Sequence, residues 1–339
     1  MKKILSIALA VVMLFAVVAL AGCSKDETLK FGFGVVASSS AKDAAGGSVA
    51  TTAVAVLLDA EGKIAAIDLD TADIAAVWSD EGKATATEDV RTKYELGKDY
   101  GMGGNQYAQD LNGDGKVLEW FEQVDAFIAT AKGKTLDEVK ALMTEDGFTT
   151  GDLATAGCTI GVSDFVKALE KAVNNAADSA ATAKDTLNLA IVSSTSSEDA
   201  TEEKQGSFEV DSTIVAAVVN AEGKVVVAAT DCVAGKFAFD TAGVVVSGNE
   251  EAIVSKLEKG ADYGMAGNQY APDLNGDGKV LEWNEQAAAF NTALAGKTAA
   301  EISGLAIDTG YGSEDLQTAG CTIAVKDMVA AAVKAATVA

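Results

Sequence analysis

Apolar positions along this chain follow two patterns, and each pattern occurs twice. Val54 to Leu58 and Ile64 to Leu69 are β-rich runs on either side of the polar turn Asp59 to Lys63, and Ile214 to Val219 and Val225 to Ala229 repeat this around Glu222-Gly223-Lys224. Such runs around a Gly-containing turn predict a β-hairpin in each half. Apolar residues then recur at helical spacing from Glu119 to Ala131 and from Glu282 to Leu294. Thr135 to Val139 opens a further short helix, and Ser163 to Asn174 and Val325 to Ala336 are Ala-, Val- and Lys-rich helices that close each half. Strands followed by helices in units of this size predict an α+β fold, each unit a small antiparallel sheet with packed helices.

The doubling is visible at the level of residues. Asp99 to Gln123 and Asp262 to Gln286 are 25-residue segments that differ at three positions, and the offset of 163 continues without a gap through Gly133/Gly296 and the Thr155/Thr318 TAGCTI segments. The chain therefore reads as a tandem duplication, in which any chemistry assigned to one copy must also stand in the other. Expected boundaries are a leader at 1–22, a polar tether at 23–29, repeat one at 30–177, a join at 178–186 and repeat two at 187–339. The join is Ala-rich without Pro or Gly, which predicts a helical, semi-rigid connector.

The N-terminus adds an address. Lys2 and Lys3 precede an apolar run from Ile4 to Leu20, which ends in Leu20-Ala21-Gly22-Cys23-Ser24. This resembles the lipobox of bacterial lipoproteins. The resemblance implies lipidation of Cys23, removal of residues 1–22 and an extracytoplasmic protein anchored to a bacterial membrane. Acidic residues outnumber basic ones by 50 to 26, a formal charge of −24. Such a surface repels phosphate backbones, so nucleic acid is not an expected partner.

Absent and rare residues narrow the chemistry further. The chain has no histidine, which removes Ser-His-Asp and Cys-His nucleophile systems and most zinc sites. Cys158 and Cys321 are equivalents, whereas Cys232 has Thr71 as its counterpart. These three read as small buried residues rather than a disulfide framework.

Two constellations carry candidate chemistry. In Asp110-Leu-Asn112-Gly-Asp114-Gly-Lys116-Val, matched by Asp273-Leu-Asn275-Gly-Asp277-Gly-Lys279-Val, side-chain oxygens stand at positions one, three and five. Glycine at six permits the sharp turn, and the carbonyl at seven (Lys116 or Lys279) adds a ligand, as in an EF-hand-type calcium loop. Position twelve holds Phe121 or Asn284 in place of the bidentate Glu. Glu122 and Glu285, one residue later, are the carboxylates expected to complete each shell. The alternative reading is a solvated Asn-Gly-Asp-Gly turn.

The second constellation is Gly157-Cys158-Thr159, paired with Gly320-Cys321-Thr322, ahead of the last helix of each copy. Together with the Gly62-Lys63-Ile64 turn and the helix carrying Trp120 and Gln123, it resembles the FMN-binding domain of exported bacterial flavoproteins. That resemblance covers nearly all of each copy and implies an FMN-binding-domain-like fold, with flavin held by a phosphoester to Thr159 and Thr322. It also implies a redox partner at the cell surface. Small residues and amides at a helix start suit a phosphate. Noncovalent flavin stacked on Tyr100, Tyr107 or Trp120 is a second possibility, and a Gly-Cys-Thr N-cap to a core helix is the plain structural alternative. Function is thus open between an FMN electron carrier with one calcium site per repeat and a cofactor-free surface module that keeps the same fold and calcium loops. A hydrolase has no motif to support it.

Overall fold

The computed structural model describes residues 27–104, 118–267, 278 and 281–337. Chain order begins with a meander of three long antiparallel strands, β1 (Thr28–Lys42), β2 (Gly46–Leu58) and β3 (Ile64–Trp78), with the short β4 (Ala84–Thr85) on the outer side of β3. Five helices follow: α1 (Lys93–Leu96), α2 (Trp120–Ala131), α3 (Leu136–Lys140), α4 (Gly151–Thr155) and α5 (Ser163–Asn174). Strand β5 (Ala177–Thr182) then returns to the free side of β1, giving the order β4-β3-β2-β1-β5. The second half repeats the plan with β6 (Thr186–Glu198), β7 (Gly206–Val219), β8 (Val225–Phe239) and β9 (Val245–Ser247) in that spatial order. Its helices are α6 (Lys256–Lys259), α7 (Trp283–Leu294), α8 (Ala299–Ile302), α9 (Glu314–Thr318) and α10 (Lys326–Ala336).

Both hairpins stand where the apolar runs predict them, and the long helices begin and end within a residue or two of their expected bounds. Local signals account for this. Thr135 and Thr298 cap α3 and α8 with reciprocal capping boxes to Glu138 and Glu301, satisfying amides that a helix start leaves open. Three expectations are corrected. The polar tether is shorter than expected, because Thr28 already opens β1 and Leu29 is buried. A third long strand in each half, β1 or β6, precedes the hairpin. The join is not a helix: Ala177 lies opposite Phe31, and the segment pairs with the β1 edge. An unpaired row of strand amides and carbonyls outweighs the weak helical preference of a short alanine stretch.

The central strands β2 and β7 are buried on both faces along their second halves. In β2, Val54, Val56 and Leu58 pack against the helices of the first half, while Ala53, Ala55 and Leu57 face the other sheet. In β7, Val215, Ala217 and Val219 meet the helices and Ile214, Ala216 and Val218 meet the opposite sheet. The result is four layers, helices, sheet, sheet, helices, with one apolar core shared by both sheets. Two-sided burial explains why these strands read as continuous apolar runs rather than as alternation.

The sheets meet with an internal two-fold relation. β3 faces β6, β1 faces β8, and β2 meets β7 in the centre. Exchanging β1 with β6, β2 with β7 and β3 with β8 interchanges the first two of these pairs and leaves the third as it is. Finer contacts obey the same exchange. Ala44 N donates to Gly243 O at 2.9 Å and Ala200 N to Gly82 O at 2.8 Å. Trp78 stacks on its counterpart Phe239 at 4.9 Å with 6° between the rings. Lys171 pairs with Glu258 and Lys334 with Glu95, both at 2.6 Å. Part-exposed ion pairs contribute at most about 1 kcal/mol each, so the shared apolar face is what joins the halves. Among the described residues no helix is long and apolar enough to cross a membrane.

Candidate calcium loops and the Gly-Cys-Thr turn

The acidic segments enter and leave the fold at fixed feet. In the first half, the entering chain passes through α1 and short 3-10 turns at Gly97–Tyr100 and Met102–Gly104, and the leaving chain reaches Leu118 and then α2. Asp110, Asn112, Asp114, Lys116, Asp273, Asn275, Asp277, Lys279 and Tyr107 lie outside the described residues. Gly278, at position six of the second loop, is described and has φ +74°. That left-handed conformation is the one the loop pattern demands of its glycine.

One buried amide holds each pair of feet. Gln123, 1% exposed, donates from Nε2 to Leu118 O at 3.1 Å and to Met102 Sδ at 3.5 Å, and its Oε1 accepts from Thr159 N at 2.8 Å and Thr159 Oγ1 at 3.2 Å. Gln286, 0% exposed, repeats every contact with Leu281 O at 3.0 Å, Met265 Sδ at 3.5 Å, Thr322 N at 2.7 Å and Thr322 Oγ1 at 3.1 Å. An amide offers two donors and a two-lone-pair acceptor. These two side chains use all of that capacity to tie the entry of the loop, its exit and the Gly-Cys-Thr turn to one helix.

The carboxylates beside the loops have structural duties as well. Glu119 and Glu282 are the N-caps of α2 and α7, and their backbone amides donate to Glu122 Oε2 and Glu285 Oε2 at 2.8 Å. One oxygen of each expected calcium ligand, Glu122 and Glu285, is therefore already engaged. Glu282 accepts from Met265 N at 2.8 Å and Ala266 N at 3.1 Å. Glu119 Oε2 and Asn284 Oδ1 are shut off from solvent and have no hydrogen-bond partner among the described residues. Asn284 occupies position twelve of the second loop. The described residues alone contain no group of three or more acidic or cysteine side chains arranged to hold a metal.

The Gly-Cys-Thr segments are turns and not helix starts. α4 and α9 end just before them, and α5 begins at Ser163 with Val162 as its N-cap, while α10 begins at Lys326 with Val325 as its N-cap. Neither segment is therefore the helix start, or the N-cap, expected from the sequence. Cys158 and Cys321 are fully buried, and burial pushes each thiol up to about 12. Thr322 is 8% exposed. Trp120, 3% exposed, stands edge-on to Phe165 at 6.0 Å and belongs to the core rather than to an open stacking face. A surface cleft of about 770 Å³ is lined by residues 41–43 with 245–250, and one of about 360 Å³ by β1, β2 and α5 with Glu251 to Ile253; neither is lined by a Gly-Cys-Thr residue.

Sequence reasoning passed over two residues of this region. Asp70 and Asp231 lie in the middle of β3 and β8, where a carboxylate is out of place, and that recurrence in an apolar run was the available signal. Asp70 Oδ1 accepts from Thr71 N at 2.7 Å and Tyr94 N at 3.3 Å; Asp231 Oδ1 accepts from Cys232 N at 2.7 Å and Leu257 N at 2.9 Å. Each thus ties its strand to the helix that leads toward an acidic loop. No family model, curated protein or solved structure matches this chain.

Proposed function

We propose that this chain is an extracytoplasmic, lipid-anchored binding module built from two tandem repeats, each presenting one calcium loop and carrying no flavin. The carrying observation is the identical fastening of both acidic loops by Gln123 and Gln286. Two loops with the oxygen donors at positions one, three, five and seven retained, held at the same feet by the same amide, suit a pair of ion sites better than two solvated turns. Calcium outside the cytoplasm is plentiful, so even a weak site of this kind is filled and stiffens its loop. Asp110, Asn112, Asp114 and the Lys116 carbonyl would hold one ion, with Asp273, Asn275, Asp277 and the Lys279 carbonyl holding the other.

A flavin phosphoester fits less well. The Thr322 hydroxyl is buried and directed at Gln286, so the bond would have to displace a contact that also fastens the loop. The test is calorimetric titration with calcium: two ions per chain are expected, falling to one in Asp114→Asn or Asp277→Asn and to none in the double variant, with Tm rising as calcium is added. No saturable uptake up to millimolar calcium overturns the reading. In the native host, Cys23→Ala should release the protein from membranes.

A further inference from the structure

Each helix layer exposes one aromatic ring at the same place in its repeat. Phe148 is 52% exposed, and its counterpart Tyr311 is 37% exposed. Both stand in a loop that the backbone ties down in the same way. Thr144 N donates to Phe148 O at 2.7 Å and Ile307 N to Tyr311 O at 2.8 Å, while Val162 N donates to Gly147 O and Val325 N to Gly310 O, each at 2.8 Å. Bridges from Phe148 to Gly161 and from Tyr311 to Ala324 fix the backbone that carries each ring. Around the rings the two loops have diverged: Thr144 to Asp152 reads TEDGFTTGD and Ile307 to Asp315 reads IDTGYGSED, with only the glycine, the aromatic and the last aspartate in common. A single exposed apolar residue is ordinary. The same ring on the same braced backbone in both copies, amid altered neighbours, is not scatter.

Charge around both rings has one sign. Residues 141–162 and 302–325 contain no Lys or Arg. Glu145, Asp146 and Asp152 accompany Phe148, and Asp308, Glu314 and Asp315 accompany Tyr311; all are exposed, and none is in an ion pair among the described residues. Carboxylates elsewhere on the helices do find cations, as Glu170 does with Lys140 and Glu258 with Lys171. The face of an aromatic ring is itself negative and attracts a cation, so ring and carboxylates favour the same kind of ligand and repel an anion.

We propose that Phe148 and Tyr311 are the centres of two docking sites for basic polypeptide segments, each ring taking the face of a cationic side chain whose charge the neighbouring carboxylates meet. Arginine is the preferred guest, because a planar guanidinium can stack on a ring while its edge donates to carboxylates, which a lysine ammonium cannot do. The loop of Phe148 joins α3 to α4 in one outer layer, and the loop of Tyr311 lies between α8 and α9 in the other. The rings therefore open on opposite sides, and one chain takes two basic segments rather than wrapping one. The sites lie outside the acidic loops, so they are tested without calcium, and their failure would leave the calcium reading untouched.

The experiment is an NMR titration of the isotope-labelled full chain, in a chelator, with an acetylated and amidated hexapeptide of alternating arginine and glycine. Saturable amide shifts are expected in 142–150 and in 305–313. Phe148→Ser should weaken binding at the first loop alone by about two- to fivefold, and Tyr311→Ser at the second loop alone by the same factor. Neither variant alters the net charge, so the general attraction of an acidic protein for a basic peptide stays constant and only the ring is removed. A lysine peptide should bind more weakly than the arginine one, and a citrulline peptide, equal in shape but uncharged, should not bind. Unchanged affinity in the serine variants, shifts spread evenly over the acidic surface, equal binding of the citrulline peptide, or stronger shifts of the same amides by a neutral oligosaccharide such as cellohexaose would overturn the proposal. Should a serine variant not fold, the parent's shift map and the citrulline comparison decide it.

Discussion

Where α5 crosses β1, Gly32 leaves room for the Ala172 carbonyl, which would lie 2.1 Å from any Cβ placed there. Where α10 crosses β6, the counterpart is Asn188, whose Nδ2 donates to the equivalent Ala335 carbonyl at 3.0 Å. One half satisfies the crossing by close approach and the other by a hydrogen bond. A similar contrast lies between the central strands, where Thr52 and Thr71 share a bond of 2.9 Å and Thr213 meets the Cys232 sulfur at 3.9 Å. By contrast, Gln123 and Gln286 keep the same residue and the same partners. Inside each half there is more than one chemical answer to a packing problem. At the feet of the acidic loops the glutamine contacts recur in both copies, and so do the Ala44/Ala200 backbone bonds and the Lys–Glu pairs across the two-fold relation.

The largest effect should come from the shared face. Trp78→Ala removes a fully buried ring, its stack on Phe239 and the Nε1 donor to Gly243 O at 3.1 Å. It should cost about 3–5 kcal/mol. Because the ring belongs to both halves, urea unfolding followed by circular dichroism should remain a single transition at lower midpoint. Two separated transitions would break the comparison by showing that the halves melt alone. Next comes the helix crossing. Gly32→Ala forces a methyl onto a backbone carbonyl, at about 1–3 kcal/mol, whereas Asn188→Ala forfeits one hydrogen bond, at about 1 kcal/mol; equal costs in the same unfolding assay would mean the two crossings are not different solutions. Smallest is Cys232→Thr, which gives the second half the Thr–Thr pair of the first and should change stability by under about 1 kcal/mol. A larger loss would mean that Lys256 and the thiol do more than fill space.

The long helices and α3 were legible because their signals are local, whereas α1, α4, α6 and α9 were not expected. Thr135 and the helical spacing around Trp120 and Trp283 name their own starts. The paired sheets were not. Ala53, Ala55 and Leu57 face the other half, but a strand covered on both sides carries no alternation to reveal a second face. β5 was misread because Ala177 to Thr182 takes its conformation from the β1 edge rather than from its own composition. The acidic loops stood out from their oxygen spacing, yet the glutamine that fastens them looks in sequence like one more polar helix position. Only its burial against Leu118, Met102 and Thr159 reveals the role.

Glu95 closes the capping box of α1 and also pairs with Lys334 from the last helix of the other half, as Glu258 does with Lys171. Each half therefore steadies the approach to its neighbour's loop, and the peptide between β5 and β6 contributes little to holding them together. A protease that cut the exposed bend at Ala183 and Lys184 would produce two fragments still joined through the common core. Denaturing electrophoresis would report two chains, while gel filtration under native conditions would report one particle.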